Sequence, residues 1–232
     1  AMRESSKSRA ITLDLDDTLG PVWAVIGRAE KALSDWLAGR APRTAALLAQ
    51  ADQRLALRQQ VQRRHPEIGH DLGALRREMI RLALQIHAED VALVEPAYEV
   101  FIAERMRVDF FDEVRPALVW LAARFPLVAI SNGNADLRLV GIGEHFRAAL
   151  SAQNFGVGKP DPRIFHAAAA AAGVQTHQVL HVGDDAELDV LGALKAGMQT
   201  VWLNRVKHEW VHEARAHATV SDLRQLCALL QC

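Results

Sequence analysis

Acidic residues lie at the ends of two short apolar segments of this sequence. Asp14 and Asp16 lie at the end of the segment 10–15, and Asp184 follows the segment 178–182. Alternate residues of an extended segment point to the same side, so we expect the side chains of Asp14 and Asp16 to lie together. Adjacent carboxylates resist ionising together unless a cation lies between them. Because oxygen ligands suit Mg²⁺, we predict a magnesium site that includes Asp14, Asp16 and Asp184.

A lysine and a hydroxyl group accompany these acids at the ends of other predicted elements. Lys159 is one of only five lysines and lies between Gly158 and Pro160, before a predicted helix, and Ser131 ends a predicted strand. A fixed ammonium beside carboxylates and a metal is suited to neutralising a phosphoryl group. A single acid after a strand is often a solvated loop residue or a helix cap. The recurrence of acids, a hydroxyl and a lysine at successive elements favours a catalytic site.

Strand-like and helix-like segments alternate through the second half of the chain. We predict strands at 10–15, 127–131, 149–153, 178–182 and 200–203, and helices at 116–124, 164–172 and 187–196. This alternation predicts an α/β fold with a Rossmann-like, doubly wound parallel sheet that is covered on both faces. Sites in such sheets form beyond the carboxyl ends of the strands, where the polar residues lie.

Residues 21–112 show helical spacing and no strand-like alternation. Apolar residues recur there at three- or four-residue steps from Leu72 to Ile86, which predicts an amphipathic helix. Three prolines divide the region into about four helices. We therefore predict a core domain of residues 1–20 and 113–232, with an all-helical domain of residues 21–112 inserted in it.

Composition limits the classes of partner. The chain has 232 residues, of which 50% are hydrophobic, and a formal net charge of −1. We therefore expect a globular protein with no nucleic-acid partner. We also expect no membrane partner, since no apolar run reaches the roughly 18 to 20 residues that a spanning helix needs. Residues 1–9 are polar, and Cys227 and Cys232 read as free thiols, so a cytoplasmic location is expected. The oligomeric state, monomer or homodimer, is left open.

Four short motifs resemble those of the haloacid dehalogenase superfamily phosphatases, in the family's order. The first is Asp14-Leu15-Asp16-Asp17-Thr18-Leu19, the second Ser131-Asn132-Gly133, the third Lys159 in Gly-Lys-Pro-Asp, and the fourth Gly183-Asp184 with Asp189. The resemblance extends over essentially the whole chain. It implies that the inserted helical domain is a cap that closes over the site, excludes water and selects the leaving group.

The resemblance also implies a role for each matching residue. Asp14 would attack phosphorus to form an aspartyl-phosphate, and Asp16 would protonate the leaving group and then activate water. The carboxylates of Asp14 and Asp184, with the backbone carbonyl of Asp16, would hold Mg²⁺.

The remaining matches would bind the phosphoryl group or support the site. Ser131 and the backbone amide of Asn132 would bind phosphoryl oxygens, and Lys159 would neutralise them. The supporting residues would be Thr18, Asp185 and Asp189, the last of which would position Lys159 or a metal-bound water.

The resemblance favours a small phosphorylated metabolite as the substrate. Stretches 130–135, 181–185 and 66–71 are similar to those of bacterial phosphatases that act on flavin mononucleotide and on a phosphoribityl-aminouracil precursor of riboflavin. Dehalogenating members lack the second acid, so Asp16 favours phosphate ester hydrolysis. A haloacid dehalogenase or a sugar phosphomutase is the alternative within the superfamily.

Two further interpretations assign the chain to other classes of protein. His208-Glu209-Trp210-Val211-His212 matches the zinc-peptidase motif His-Glu-x-x-His, in which a helix presents two histidines to zinc. Solvated helix residues account better for this string. A signalling receiver module also uses acids, a hydroxyl and a lysine, but it places its phosphoacceptor two strands after the first acids.

Overall fold

The computed structural model describes residues 8–231. Most of the polar segment 1–9 and the thiol of Cys232 lie outside the described residues. By internal contacts the described chain forms two compact units, one of residues 8–21 and 110–231 and one of Val22–Asp109. Whether each unit is an independent domain, and whether the second acts as a cap, stays a prediction.

The first unit contains a six-stranded parallel sheet with the strand order β3-β2-β1-β4-β5-β6. The strands are β1 (Ala10–Leu13), β2 (Leu127–Ser131), β3 (Ala148–Ser151), β4 (Val179–Gly183), β5 (Gln199–Leu203) and β6 (Ala218–Val220). Every residue of β1, β2, β4 and β5 is buried, as expected for strands covered on both faces. The predicted Rossmann-like α/β fold is therefore confirmed. The strand β6 was not predicted, because three residues give too short a pattern to recognise.

Five α-helices accompany these strands in the first unit. They are α6 (Val114–Ala122), α7 (Ala152–Phe155), α8 (Pro162–Ala172), α9 (Gly192–Ala196) and α10 (Leu223–Gln231). Asp161 caps α8 by accepting the amide of Arg163, as its position before Pro162 predicts. The small side chains of Ala168, Ala169 and Ala172 pack in the apolar core beneath this helix.

The predicted helix 187–196 is wrong in its first half. Residues Ala186–Leu191 form a π-helical turn that continues into α9, and Gly197 ends α9 with a φ of 94°. The amide of Val190 bonds to the carbonyl of Asp185 at 3.3 Å, five residues back, where an α-helix bonds four residues back. Periodicity cannot distinguish the two forms over six residues.

The second unit is helical throughout its regular structure. Its helices are α1 (Val22–Ala38), α2 (Pro42–Leu48), α3 (Ala51–Arg64), α4 (Leu72–Ile86) and α5 (Val94–Arg105), with 3₁₀ turns at Pro66–Ile68 and Val91–Leu93. The amphipathic helix from Leu72 to Ile86 is confirmed, whereas the expected number of about four helices is too low. Buried side chains from all five helices form one apolar core. Across residues 8–231, no helix is both long and apolar enough to cross a membrane.

Substitution of Leu33 measures how much this apolar core contributes to the stability of the second unit. Its side chain is fully buried, so Leu33→Ala removes apolar contacts and leaves a cavity, and we expect the free energy of unfolding to fall by about 2–5 kcal/mol. Urea unfolding followed by circular dichroism measures the change. The matched control is Leu55→Ala on α3, where the side chain is exposed and the change stays within about 0.5 kcal/mol. Equal effects of the two variants would contradict this account of the core.

Candidate functional site

The ammonium group of Lys159 lies between two carboxylates in the interior of the first unit. Its Nζ donates to Asp14 Oδ1 at 2.7 Å and to Asp189 Oδ1 at 2.6 Å, and all three side chains are buried. Burial acts to lower the pKa of Lys159, but the two carboxylates outweigh it and hold the pKa above its ordinary value. Lys159 is therefore a fixed positive charge at the carboxyl end of β1.

The side chain of Asn132 fixes the backbone of Lys159. Its Oδ1 accepts the amide of Lys159 at 2.8 Å, and its Nδ2 donates to the carbonyl of Lys159 at 2.9 Å. A Cβ at position 158 would lie 2.6 Å from Asn132 Oδ1, so Gly158 leaves the room that this contact needs. The residue after β2 thus holds the lysine loop in place, a function of its side chain that sequence reasoning missed.

Asp14 and Asp184 meet across the hydroxyl of Thr18. Thr18 Oγ1 donates to Asp14 Oδ2 at 2.9 Å and lies 3.4 Å from Asp184 Oδ1. Burial raises the pKa of Asp14, against the lowering effect of Lys159. Burial and the Asp14 carboxylate raise the pKa of Asp184 to about 9. Both carboxyl groups are therefore difficult to ionise together.

This pair of acids fits a divalent cation. Carboxylate oxygens of Asp14, Asp184 and Asp189 lie within 4.8 Å of one another, the one such group of potential metal ligands found among residues 8–231. A cation bound there would offset the burial and the carboxylate repulsion that raise these pKa values. One or two carboxylates with water is the ligand set that Mg²⁺ prefers. Asp14 and Asp184 fit this role better than Asp189, whose oxygens already accept three hydrogen bonds.

The π-helical turn directs Asp189 toward Lys159. Burial acts to raise the pKa of Asp189, but Lys159 and His181 lower it to about 2, so the group is a carboxylate at neutral pH. Its Oδ2 accepts the amide of Asp185 at 3.1 Å. A Cβ at position 183 would lie 2.2 Å from Asp189 Cγ, so only glycine at this position admits the carboxylate.

Asp16 lies beside residues at the end of β2. β1 ends at Leu13, two residues before the end of the predicted segment 10–15, and Asp16 forms an isolated parallel bridge with Gly20. Its carboxylate lies against Gly133, where an added Cβ would be 2.2 Å from Asp16 Oδ2 and 3.2 Å from Ser131 Oγ. Asp16 and Ser131 therefore both lie close to Gly133.

The remaining predicted residues lie around this centre. The carboxylate of Asp185 is exposed and accepts the amides of Glu187 and Leu188, which caps the π-helical turn. The backbone carbonyl of Asp184 accepts the indole N–H of Trp202 at 2.8 Å. The contact with Trp202 was not predicted from the sequence, since a tryptophan in a buried strand is expected to be part of the apolar core.

A pair of polar residues inside the sheet was also missed. Thr12 and His181 are adjacent in the parallel pairing of β1 and β4, and both are buried. Their signal is visible in the sequence as polar side chains within otherwise apolar strands, Ala-Ile-Thr-Leu and Val-Leu-His-Val-Gly. Buried polar groups need partners, so such residues point to an internal network.

The histidine string near the C-terminus does not form a helix. Residues 208–212 have irregular backbone between β5 and β6, so the helical face that would present two histidines to zinc is absent from this segment. The side chains of His212 and Trp210 contact each other with ring centroids 5.3 Å apart. The expectation that these are solvated helix residues is wrong, because the segment is not helical. The zinc-peptidase interpretation requires a helix at these residues, and the structure does not provide one there.

Comparisons with known proteins show what this chain is similar to. A family model described as haloacid dehalogenase-like hydrolase matches residues 8–197. The chain is 34% identical over 236 residues to the 5-amino-6-(5-phospho-D-ribitylamino)uracil phosphatase of Escherichia coli, with 98% of each chain covered. It is 34% identical to the phosphoserine phosphatase of Thermus thermophilus, over 66% of this chain and 64% of that one. A solved structure of a 2-haloacid dehalogenase from Pseudomonas syringae superposes with a TM-score of 0.90 at 36% identity, covering 97% of this chain and 98% of that one.

Gly183→Ala tests the close approach of Asp189 to β4. The added methyl group must displace the Asp189 carboxylate, so we expect the free energy of unfolding to fall by about 1–3 kcal/mol. Mg²⁺ binding should weaken by about 10- to 100-fold, because a displaced Asp189 no longer holds Lys159 against Asp14. Urea unfolding and isothermal titration calorimetry measure the two effects.

The control for this prediction is Gly27→Ala in α1. An added Cβ there has no neighbour within 4 Å, so stability should stay within about 1 kcal/mol and Mg²⁺ affinity should not change. A Gly183→Ala protein that matches the Gly27→Ala protein in both measurements would show that the added methyl group does not displace the Asp189 carboxylate.

Proposed function

We propose a mechanism for this chain, which belongs to the haloacid dehalogenase-like hydrolase family and is a phosphatase. It hydrolyses small-molecule phosphomonoesters with Mg²⁺, through an aspartyl-phosphate on Asp14. The observation that carries this proposal is the environment of Asp14, whose Oδ1 accepts a hydrogen bond from the buried ammonium of Lys159 and whose Oδ2 accepts one from Thr18. These contacts fix the carboxylate in one orientation for attack.

In the first step an oxygen of Asp14 attacks phosphorus while the bond to the leaving oxygen breaks. The carboxylic acid of Asp16 donates its proton to that oxygen, and the leaving group departs as an alcohol. Ser131 and the amide of Asn132 bind the oxygens of the transferred group. The charge of Lys159 compensates the negative charge that the phosphoryl group brings to Asp14.

In the second step the Asp16 carboxylate takes a proton from water, and the water oxygen attacks phosphorus. The bond between phosphorus and Asp14 breaks, which releases inorganic phosphate and restores both carboxyl groups. Asp14, Asp184 and the backbone carbonyl of Asp16 would hold Mg²⁺, which when bound would supply charge neutralisation for the phosphoryl oxygens. Asp189 keeps Lys159 in place throughout.

The proposed substrate is flavin mononucleotide or a phosphorylated riboflavin precursor. The support is the relative from E. coli named for its action on 5-amino-6-(5-phospho-D-ribitylamino)uracil, which aligns over nearly the full length of both chains. The helical unit Val22–Asp109 is the proposed cap domain, which would select among leaving groups.

Dehalogenation of a 2-haloacid is the second candidate function. The 36% identity to the P. syringae dehalogenase favours it. The placement of Asp16 argues against it, because a carboxyl group beside Ser131 and Gly133 is suited to protonating a leaving alkoxide, and a departing halide needs no proton.

A release assay with matched substrates decides between these functions. We expect phosphate release from flavin mononucleotide and other phosphomonoesters, and no halide release from 2-chloropropionate. In EDTA the phosphatase turnover should fall by at least about 100-fold, and added Mg²⁺ should restore it. The matched control variant is His208→Ala in the irregular segment, which should retain wild-type turnover. Undiminished turnover in EDTA would contradict the magnesium proposal, and halide release without phosphate release would reverse the choice of function.

Asp16→Asn separates the two proton transfers. Nitrophenolate leaves without protonation, so with p-nitrophenyl phosphate we expect a burst of about one nitrophenolate per enzyme, followed by turnover slowed about 10²- to 10⁴-fold because water is no longer activated. With flavin mononucleotide, whose leaving group is an alkoxide, we expect no burst. Rapid-quench kinetics measures both.

Asp14→Asn is the control for this experiment and should show no burst with either substrate, since it lacks the nucleophile. A burst from Asp16→Asn with flavin mononucleotide would remove Asp16 from the first proton transfer.

A further inference from the structure

His181 connects the interior of the sheet to the salt bridge of Lys159. Its Nε2 lies 2.8 Å from Asp189 Oδ1, the same oxygen that accepts Lys159 Nζ at 2.6 Å. Its Nδ1 lies 2.7 Å from Thr12 Oγ1 on the neighbouring strand. The ring is 1% exposed, and the ring of Phe165 packs edge-on against it with centroids 5.2 Å apart. The mechanism proposed above uses neither His181 nor Thr12.

The partners of the imidazole assign the direction of each hydrogen bond. Asp189 is a carboxylate at neutral pH and can only accept, so His181 Nε2 carries a proton and donates to it. Where Nε2 carries the one ring proton, Nδ1 is an acceptor, and the hydroxyl of Thr12 donates to it. The hydroxyl therefore fixes the tautomer that Asp189 requires.

We infer that His181, oriented by Thr12, is a positioning residue for the phosphatase reaction. It acts through two other side chains: it holds the Asp189 carboxylate, which holds Lys159 Nζ against Asp14 Oδ1. This inference rests on the proposed function, since it assigns His181 to the same reaction.

The geometry explains why Asp189 needs a second donor on Oδ1. Lys159 Nζ is shared by two carboxylates, so a rotation of the Asp189 carboxylate would leave the ammonium paired with Asp14 alone. The amide of Asp185 restrains Oδ2, and His181 restrains Oδ1 from within the sheet. Both oxygens are therefore fixed, and the ammonium is held in one place.

The test compares two substitutions of the histidine. In His181→Gln the amide Nε2 can donate to Asp189 from nearly the same place, whereas His181→Leu removes the donor and retains an apolar side chain. We expect kcat of His181→Leu to fall by about 10- to 100-fold, as for other residues that orient a catalytic group, with KM changed by less than about threefold. We expect His181→Gln to recover most of this loss.

A purely structural role predicts a different outcome. The melting temperatures of the two variants report how far each disturbs the core. Equal kcat values for His181→Gln and His181→Leu would overturn the inference, because the donated hydrogen bond would then have no effect on turnover. The matched control is His166→Leu on α8, which removes a histidine that contacts the carbonyl of Ala196 and should leave kcat unchanged.

A spectroscopic measurement separates this inference from the proposed function. Long-range ¹H–¹⁵N correlation spectra of the wild-type protein should show His181 protonated at Nε2 and not at Nδ1, with its signals identified by their loss in His181→Gln. Thr12→Val should shift the Nδ1 signal, because it removes the hydroxyl that donates to this nitrogen. A proton on Nδ1 in the wild-type spectrum would overturn the inference even if the enzyme releases phosphate. If the wild type releases no phosphate but shows the expected tautomer, the proposed function fails while the hydrogen-bond network stands.

Discussion

The buried ammonium of Lys159 is the interaction on which the rest of the site depends. An unpaired ammonium in the interior would be strongly destabilising, so the chain must supply partners, and it supplies the carboxylates of Asp14 and Asp189. Each carboxylate then needs its own restraint, which Thr18 supplies to Asp14, and His181 and the amide of Asp185 supply to Asp189. The polar network at the carboxyl edge of the sheet follows from this single charge.

Parallel strand order converts distant sequence positions into neighbours. β1 lies between β2 and β4, so residues that follow these three strands meet at one edge, although β1 is more than a hundred positions from each of the other two in the chain. Glycines at 133, 158 and 183 then let side chains approach the backbone more closely than any Cβ would permit. The site is therefore defined by small residues as much as by charged ones.

The sequence was sufficient to predict the fold class and most strands, because buried parallel strands are compact apolar segments bounded by polar residues. It also identified the acids and Lys159, since polar residues at strand ends must share an edge. It did not predict the bridge between Asp16 and Gly20, because the left-handed backbone of Asp17 (φ 63°) between them leaves no signal in the residue pattern. Nor did it predict the pairing of Thr12 with His181, which depends on the register between two strands far apart in the chain.

The π-helical turn at Ala186–Leu191 bears on how this protein can change length during evolution. A turn of this kind contains one residue more than the α-helical turn it replaces, and each residue of an α-helix rotates the chain by about 100°. Deletion of one residue before Asp189 would restore a regular helix and rotate the carboxylate away from Lys159. A change of side chain at an exposed position such as Glu187 would leave the carboxylate in place, whereas a change in the number of residues between Gly183 and Asp189 would move it away from Lys159.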